Sequence, residues 1–351
     1  MTGRAGRSTA GLAIGVLVCA AMAAGVVAVL RTQRDGAKGP GLGEEFNYDL
    51  KALGRVDPRL ILYEEPSPPI AVGLAEPRGI ATGPEDRVYI VGDRAVGVLN
   101  SEGQQTGRFE LAGAPAAVDV DAGGLMYVAM TDHVEVYDGR GRKLAAWPAA
   151  GGQPVFTSIA AAENDVFVAD AGNKVVLRYD KTGKLISEIG RNEPRRNIEG
   201  FFIPSPCFDV AMGADGLLRA VNPGRRRIEA YTREGDLEFW WGQSSTAIEG
   251  FAGCCNPAAL ALLPAGGGFV TCEKGLTRVK VYDAEGKFAG VVAAPEQFAR
   301  HDALAETRDL YSARALDVAV DAQGRVLVLD PLTAEVRVFV RRAAAGAGKA
   351  E

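Results

Sequence analysis

Val166-Phe167-Val168-Ala169-Asp170-Ala171-Gly172-Asn173-Lys174-Val175, continued through Tyr179-Asp180-Lys181-Thr182-Gly183-Lys184-Leu185 and closed by Ile189-Gly190, decides the fold. Two apolar runs of strand length flank an Asp-x-x-Asn turn, and the second run ends in an Asp-Lys-Thr-Gly turn. Asp and Asn stabilise tight turns by accepting backbone N–H groups, so the stretch reads as antiparallel strands joined by short hairpins. The same grammar recurs on both sides. Second strands are expected at Val88-Tyr89-Ile90-Val91, Met126-Tyr127-Val128, Val166-Phe167-Val168, Leu217-Leu218-Arg219-Ala220, Gly268-Phe269-Val270 and Val326-Leu327-Val328. Third strands follow at Val96–Leu99, Val134–Tyr137, Val176–Tyr179, Ile228–Tyr231, Arg278–Tyr282 and Val336–Phe339.

A sheet of so few strands cannot bury both of its faces alone. Radial stacking of six such units buries them against one another, which makes an all-β, six-bladed β-propeller over residues 56–342 the expected architecture. The sixth unit runs out of chain after Phe339-Val340. Its outermost strand is therefore expected from Arg59-Leu60-Ile61-Leu62-Tyr63-Glu64, an apolar run ahead of the first unit that has no hairpin partner of its own.

The third to fifth units resemble NHL repeats, and the chain thereby resembles the NHL-repeat, TolB-like six-bladed propellers. The match is clearest over residues 154–292, where Asp170-Ala171-Gly172-Asn173 and Asn222-Pro223-Gly224-Arg225 occupy the family's acidic turn and Ile189-Gly190 and Trp241-Gly242 its terminal Gly. Asn222 and Cys272-Glu273-Lys274-Gly275 depart from the pattern. The resemblance implies an interaction platform, but a fold does not fix a function. Some NHL propellers bind RNA; the charge argues against that here. The 351-residue chain carries a net charge of −5, and after residues 1–40 the remainder holds 34 basic against 43 acidic residues. Nucleic-acid binding needs cations to displace condensed counterions, so no nucleic-acid partner is expected.

Ala10 to Leu30 form an uncharged apolar run flanked by Arg4, Arg7, Arg31 and Arg34. Roughly 20 such residues span a bilayer as a helix. The run reads as an uncleaved transmembrane anchor after a cytoplasmic head at residues 1–9; the competing reading is a signal peptide cleaved near Ala21-Met22-Ala23. Either way the bulk of the chain is expected outside the cytoplasm, on the periplasmic side of a bacterial-type inner membrane. Residues 31–55 read as a tether and 343–351 as a disordered tail.

Ile198-Glu199-Gly200-Phe201 recurs as Ile248-Glu249-Gly250-Phe251, each leading into the next unit through Pro204-Ser205-Pro206-Cys207-Phe208 or Gly253-Cys254-Cys255-Asn256-Pro257. Entry loops of successive blades lie side by side, which brings Cys207, Cys254 and Cys255 together on one face. In an oxidising compartment these thiols read as disulfides, with Cys272 available for a second bridge. The competing reading is a redox or soft-metal site, since thiolates favour copper(I), zinc or iron–sulfur clusters. A protein or small ligand is expected on this face, with Glu199, Phe201, Ser205, Glu249, Phe251, Asn256, Arg226 and Lys274 as candidate contacts.

The cations Arg225, Arg226, Arg227, Lys274, Arg278 and Lys280 read either as a groove for an anionic partner or as solvated strand edges that resist aggregation. The enzyme readings are thinner. Propeller lyases of this class use several His ligands, whereas the sequence holds only His133 and His301. Glu199, Glu249, Asp209 and Asn256 could imitate the metal set of six-bladed lactone hydrolases, but no G-x-S-x-G elbow, phosphate loop or H-E-x-x-H occurs. Ala294 to Arg314 reads as an insertion with a short helix from Pro295, either a cover for one channel mouth or filler.

Overall fold

The computed structural model describes residues 50–298 and 315–343. The expected head, the anchor or signal run, the tether as far as residue 49, the insertion from residue 299 and the tail from residue 344 lie outside the described residues. The last tether residues are helical, as a short α1 over Leu50–Gly54. No helix among the described residues is long and apolar enough to cross a membrane.

Six antiparallel sheets follow one another along the chain. The first blade is β3 (Pro77–Thr82), β4 (Val88–Gly92), β5 (Ala95–Leu99) and β6 (Gln105–Glu110). The second is β7 (Ala117–Val120), β8 (Met126–Ala129), β9 (Val134–Tyr137) and β10 (Lys143–Ala146). The third is β11 (Phe156–Ala161), β12 (Asp165–Asp170), β13 (Val175–Asp180) and β14 (Leu185–Ile189). The fourth is β15 (Val210–Met212), β16 (Leu218–Asn222), β17 (Arg227–Tyr231) and β18 (Leu237–Trp241). The fifth is β19 (Ala259–Leu262), β20 (Phe269–Cys272), β21 (Val279–Tyr282) and β22 (Phe288–Ala293). The sixth holds β23 (Asp317–Val320), β24 (Val326–Asp330) and β25 (Glu335–Arg341).

The ring closes as the orphan run requires. Strand β1 (Tyr63–Glu64) pairs antiparallel with β25, Tyr63 opposite Arg341, and becomes the outer strand of the sixth blade. Only its last two residues extend: Pro58–Leu60 turn as a 3-10 helix, and Ile61 bridges in parallel to Val291 of the fifth blade. A second short strand, β2 (Ile70–Ala71), also joins β25. The N-terminal residues thus clasp both the last blade and its neighbour.

The turns do what their residue types allow. Asp170 accepts the backbone N–H groups of Gly172 and Asn173, at 3.1 Å each, and that of Val155 at 3.0 Å. Asp138, Asp180 and Asp321 bind the amides two and four residues on in the same way. The unit-closing glycines answer a packing demand. Gly190 has φ +79°, and a Cβ there would lie 2.0 Å from the Phe201 ring. Buried side chains fill the spaces between blades; Phe167, Ala220 and Tyr231 of blades three and four, for example, share one cluster with Phe201 and Phe208.

Candidate functional site

The six innermost strands surround a central channel of about 630 Å³, with Ala, Val and Ile side chains on much of its wall. Its lining reaches one face of the propeller through Arg78, Cys207, Lys274 and Pro331. This is the face of the blade-entry loops.

Three carboxylates interrupt the apolar wall. Asp119 of β7, Asp209 just ahead of β15 and Asp317 of β23 are half-buried. Each accepts the backbone N–H of its successor: Val120 at 2.9 Å, Val210 at 2.8 Å and Val318 at 2.9 Å. Each also accepts an inner-strand N–H of the next blade: Ala161 at 2.7 Å, Leu260 at 2.6 Å and Ile80 at 2.9 Å. They staple blade two to three, four to five and six to one. Burial pushes Asp119 and Asp209 up to about 6 despite those amides, and burial together with the charge of Asp209 pushes Asp317 up to about 7. Of these only Asp209 was singled out from sequence. The missed signal was a single Asp in an otherwise apolar strand, as in Leu316-Asp317-Val318-Ala319-Val320.

The Ile-Glu-Gly-Phe loops anchor the face. Phe201 and Phe251 are buried rather than presented as ligand contacts, because each ring plugs the gap between blades: Phe201 meets Phe208 at 4.7 Å, and Phe251 meets Tyr282 at 5.7 Å. Asn256 is also buried. Its amide group donates to Ala252 O and Lys274 O and accepts from Lys274 N, so it ties two loops together and is not free to contact a ligand. Glu199 and Glu249 reach the surface; Glu199 bridges to Arg225 at 2.8 Å and to Arg227 at 3.3 Å. Arg226 donates to Gly253 O at 2.9 Å, which leaves it braced against the cysteine loop.

Lys274 lines the channel mouth, whereas Arg278 and Lys280 form neither a groove nor a solvated edge. Arg278 and Lys280 are buried with Glu273 inside the blade, at 2.6 Å and 3.5 Å from its carboxylate oxygens. Lys280 also donates to Gly250 O at 2.6 Å and lies 4.4 Å from the centre of the Phe251 ring. Burial brings its ammonium down to about 8, against the pull of Glu273.

The thiols gather as the loop spacing implies. Cys254 Sγ and Cys255 Sγ are 3.5 Å apart, and Cys255 lies near the Cys207 thiol and Ser205. Burial pushes the Cys255 thiol up, Ser205 lowers it, and the two neighbouring thiols add to the rise. All four described cysteines are free. Among the described residues no group of three or more His, Cys, Asp or Glu is arranged to hold a metal ion. Cys272 stands apart from the other three thiols: its own is wholly enclosed in the core around blade five, and burial raises its pKa. His133 is the only described histidine; it sits in the β8–β9 turn beside Asp132 at 2.7 Å.

No family model and no curated protein matches the chain. Solved structures do. A streptogramin B lyase aligns with a TM-score of 0.53 at 12% identity, over 78% of this chain and 97% of that one. A catalytically inactive histidine-to-alanine variant of virginiamycin B lyase from Staphylococcus aureus with quinupristin gives 0.51 at 14%, over 77% and 87%. A protein of unknown function from Bacteroides thetaiotaomicron gives 0.52 at 14%, over 80% and 72%. At such identities the likeness is one of fold: a six-bladed propeller.

Proposed function

We propose that this chain is a binding module, held outside the cytoplasm by its N-terminal apolar run, that takes a small ligand into the propeller channel from the face of the blade-entry loops. One observation carries the reading: a channel of about 630 Å³ that opens between Cys207, Lys274, Arg78 and Pro331. That volume falls within the range of small-molecule sites, which are mostly apolar with a few placed polar groups. Here the placed groups are Asp119, Asp209 and Asp317. Each already holds two backbone N–H groups, so further lone pairs suit a hydrogen-bond donor such as an amine, with the ligand's apolar body against the alanines.

The lyase neighbours share the fold, and nothing of their chemistry is needed for this reading. Binding is tested by incubating the full chain with a panel of small primary amines and following retention by equilibrium dialysis. Ala315 lines the mouth. Ala315→Trp should abolish retention, and Asp209→Asn should weaken it about tenfold, the loss of one charge-assisted hydrogen bond. Retention unchanged in Ala315→Trp, or no amine retained by the parent chain, would overturn the proposal. Fractionation of membranes from the producing cells checks the anchor: the chain should stay with the membrane through an alkaline carbonate wash.

A further inference from the structure

Three thiols at the channel mouth differ in exposure in a way that orders them. Cys254 is exposed, Cys255 is half-buried with its Sγ 3.5 Å away, and half-buried Cys207 lines the channel beside Cys255. We infer that Cys254, Cys255 and Cys207 form a thiol–disulfide exchange relay that reacts with a low-molecular-weight disulfide and ends in a Cys207–Cys255 bridge. The inference is independent of any channel ligand.

The steps balance. The Cys254 thiolate, the only one of the three in open solvent, attacks the external disulfide RSSR; a Cys254–S–S–R bond forms and one RS⁻ leaves, taking up a proton. Cys255 then attacks Cys254 Sγ and expels the second RS⁻. The resulting vicinal bond is transient, because adjacent α-carbons sit about 3.8 Å apart and an ordinary disulfide needs at least about 4.4 Å. Cys207 attacks Cys255 Sγ, releasing the Cys254 thiolate. The sum is RSSR plus two protein thiols giving one protein disulfide and two RSH, with the protein oxidised and the external disulfide reduced. Cys272 takes no part, being enclosed in the core.

The bridge would join the entry loop of blade four to that of blade five across the mouth. Arg226 already braces the second loop through Gly253 O, which keeps Cys254 and Cys255 in place relative to blade four.

The test exposes the reduced full chain to oxidised glutathione, quenches with a maleimide at set times and maps the cysteines by peptide mass spectrometry. Three of the five thiols should remain, with a cross-linked peptide joining Cys207 to Cys255. In Cys254→Ser the same bridge should form at least tenfold more slowly. Cys255→Ser should give no bridge and hold glutathione on Cys254. Cys207→Ser should stall with glutathione on Cys254 or with a readily reduced vicinal bond, and Cys272→Ser should behave as the parent. Five thiols remaining in the parent, a Cys207–Cys254 bridge surviving in Cys255→Ser, or a parental rate in Cys254→Ser would each overturn the inference. Thermal melts of the reduced variants, unchanged from the parent, confirm that the differences are chemical.

Discussion

Blades four and five are built on one plan and filled with opposite charge. In blade four, Asn222 at the end of β16 donates to Glu229 at 2.9 Å, Arg227 adds 2.7 Å and Tyr231 OH a further 2.7 Å. In blade five the matching positions are Glu273, Arg278, Lys280 and Tyr282. The buried anion has moved from the third strand to the second, and a cation has replaced it. Both sets serve the preceding Ile-Glu-Gly-Phe loop. Gly200 O faces Asn222 Nδ2 at 3.5 Å, while Gly250 O takes Lys280 Nζ at 2.6 Å. The loop needs a donor beneath its Gly carbonyl, and either sign of network supplies one. What differs is the cost: blade four neutralises one carboxylate with one guanidinium and neutral donors, whereas blade five encloses two cations around one carboxylate.

That difference predicts where the molecule breaks. Glu273→Gln strips the buried carboxylate from two buried cations and should cost about 3–5 kcal/mol, the usual penalty for breaking a buried pair from one side. Thermal melting of the domain would show it as a fall of roughly 5–8 °C. The double change Glu273→Asn with Lys280→Glu rewrites blade five in the terms of blade four, Asn, Arg, Glu and Tyr in order. It should recover most of the loss. A double variant no more stable than Glu273→Gln would mean that the two blades are not interchangeable frames.

Titration sharpens the same contrast. Lys280 is brought down to about 8 from 10.5, so between those values the unfolded chain holds a proton that the folded chain has released. Stability from this group therefore rises as pH goes from about 8 to 10.5, by about 3 kcal/mol for a side chain shut off from solvent. The slope should vanish in the double variant. Blade four titrates the other way, because its inner strand carries Asp209 where blade five has Ala259. Asp209 is pushed up to about 6, so the folded chain binds the extra proton between its ordinary value of 3.8 and 6. Its contribution is full at the acid end and fades as pH rises through that window, by about 1 kcal/mol for a carboxylate half-open to the channel. From pH 4 to pH 7 the denaturant midpoint of Asp209→Asn should rise relative to that of the parent.

The repeat grammar made the fold legible, because turns and strand length are local properties: Val134–Tyr137 matches β9 to the residue, and the Asp170–Asn173 turn works through its own side chains. Ring closure was legible too, since an unpaired apolar run must find an edge. The site was only half legible. Cys207, Cys254 and Cys255 meet because entry loops of adjacent blades are neighbours in any propeller. The fate of Arg278 and Lys280 was not readable, because alternating charge on a strand looks the same whether the side chain meets water or a buried Glu273. Phe201 and Phe251 misled for a related reason: a Phe after Gly reads as a surface loop until the next blade's wall closes over it. Asp119 and Asp317 stayed hidden because their value lies in an amide of the following blade, which no local pattern reveals.

The smallest effect tests the outer layer of the comparison. Glu199 bridges Arg225 and Arg227 at the surface of blade four, with more than half of its side chain exposed, whereas its counterpart Glu249 lends a backbone carbonyl to Tyr282 OH at 3.2 Å. Exposed pairs are screened and cost side-chain entropy, so Glu199→Ala should lower stability by no more than about 1 kcal/mol. Because Arg227 keeps its buried partner Glu229 at 2.6 Å, losing Glu199 leaves no charge stranded. A loss of several kcal/mol, read from denaturant midpoints, would show that the surface carboxylate holds the network together and that blade four, not blade five, is the fragile one. A loss within the expected range that disappears at about 1 M salt, where the screening length falls to about 3 Å, would place Glu199 outside the buried frame that the two blades share.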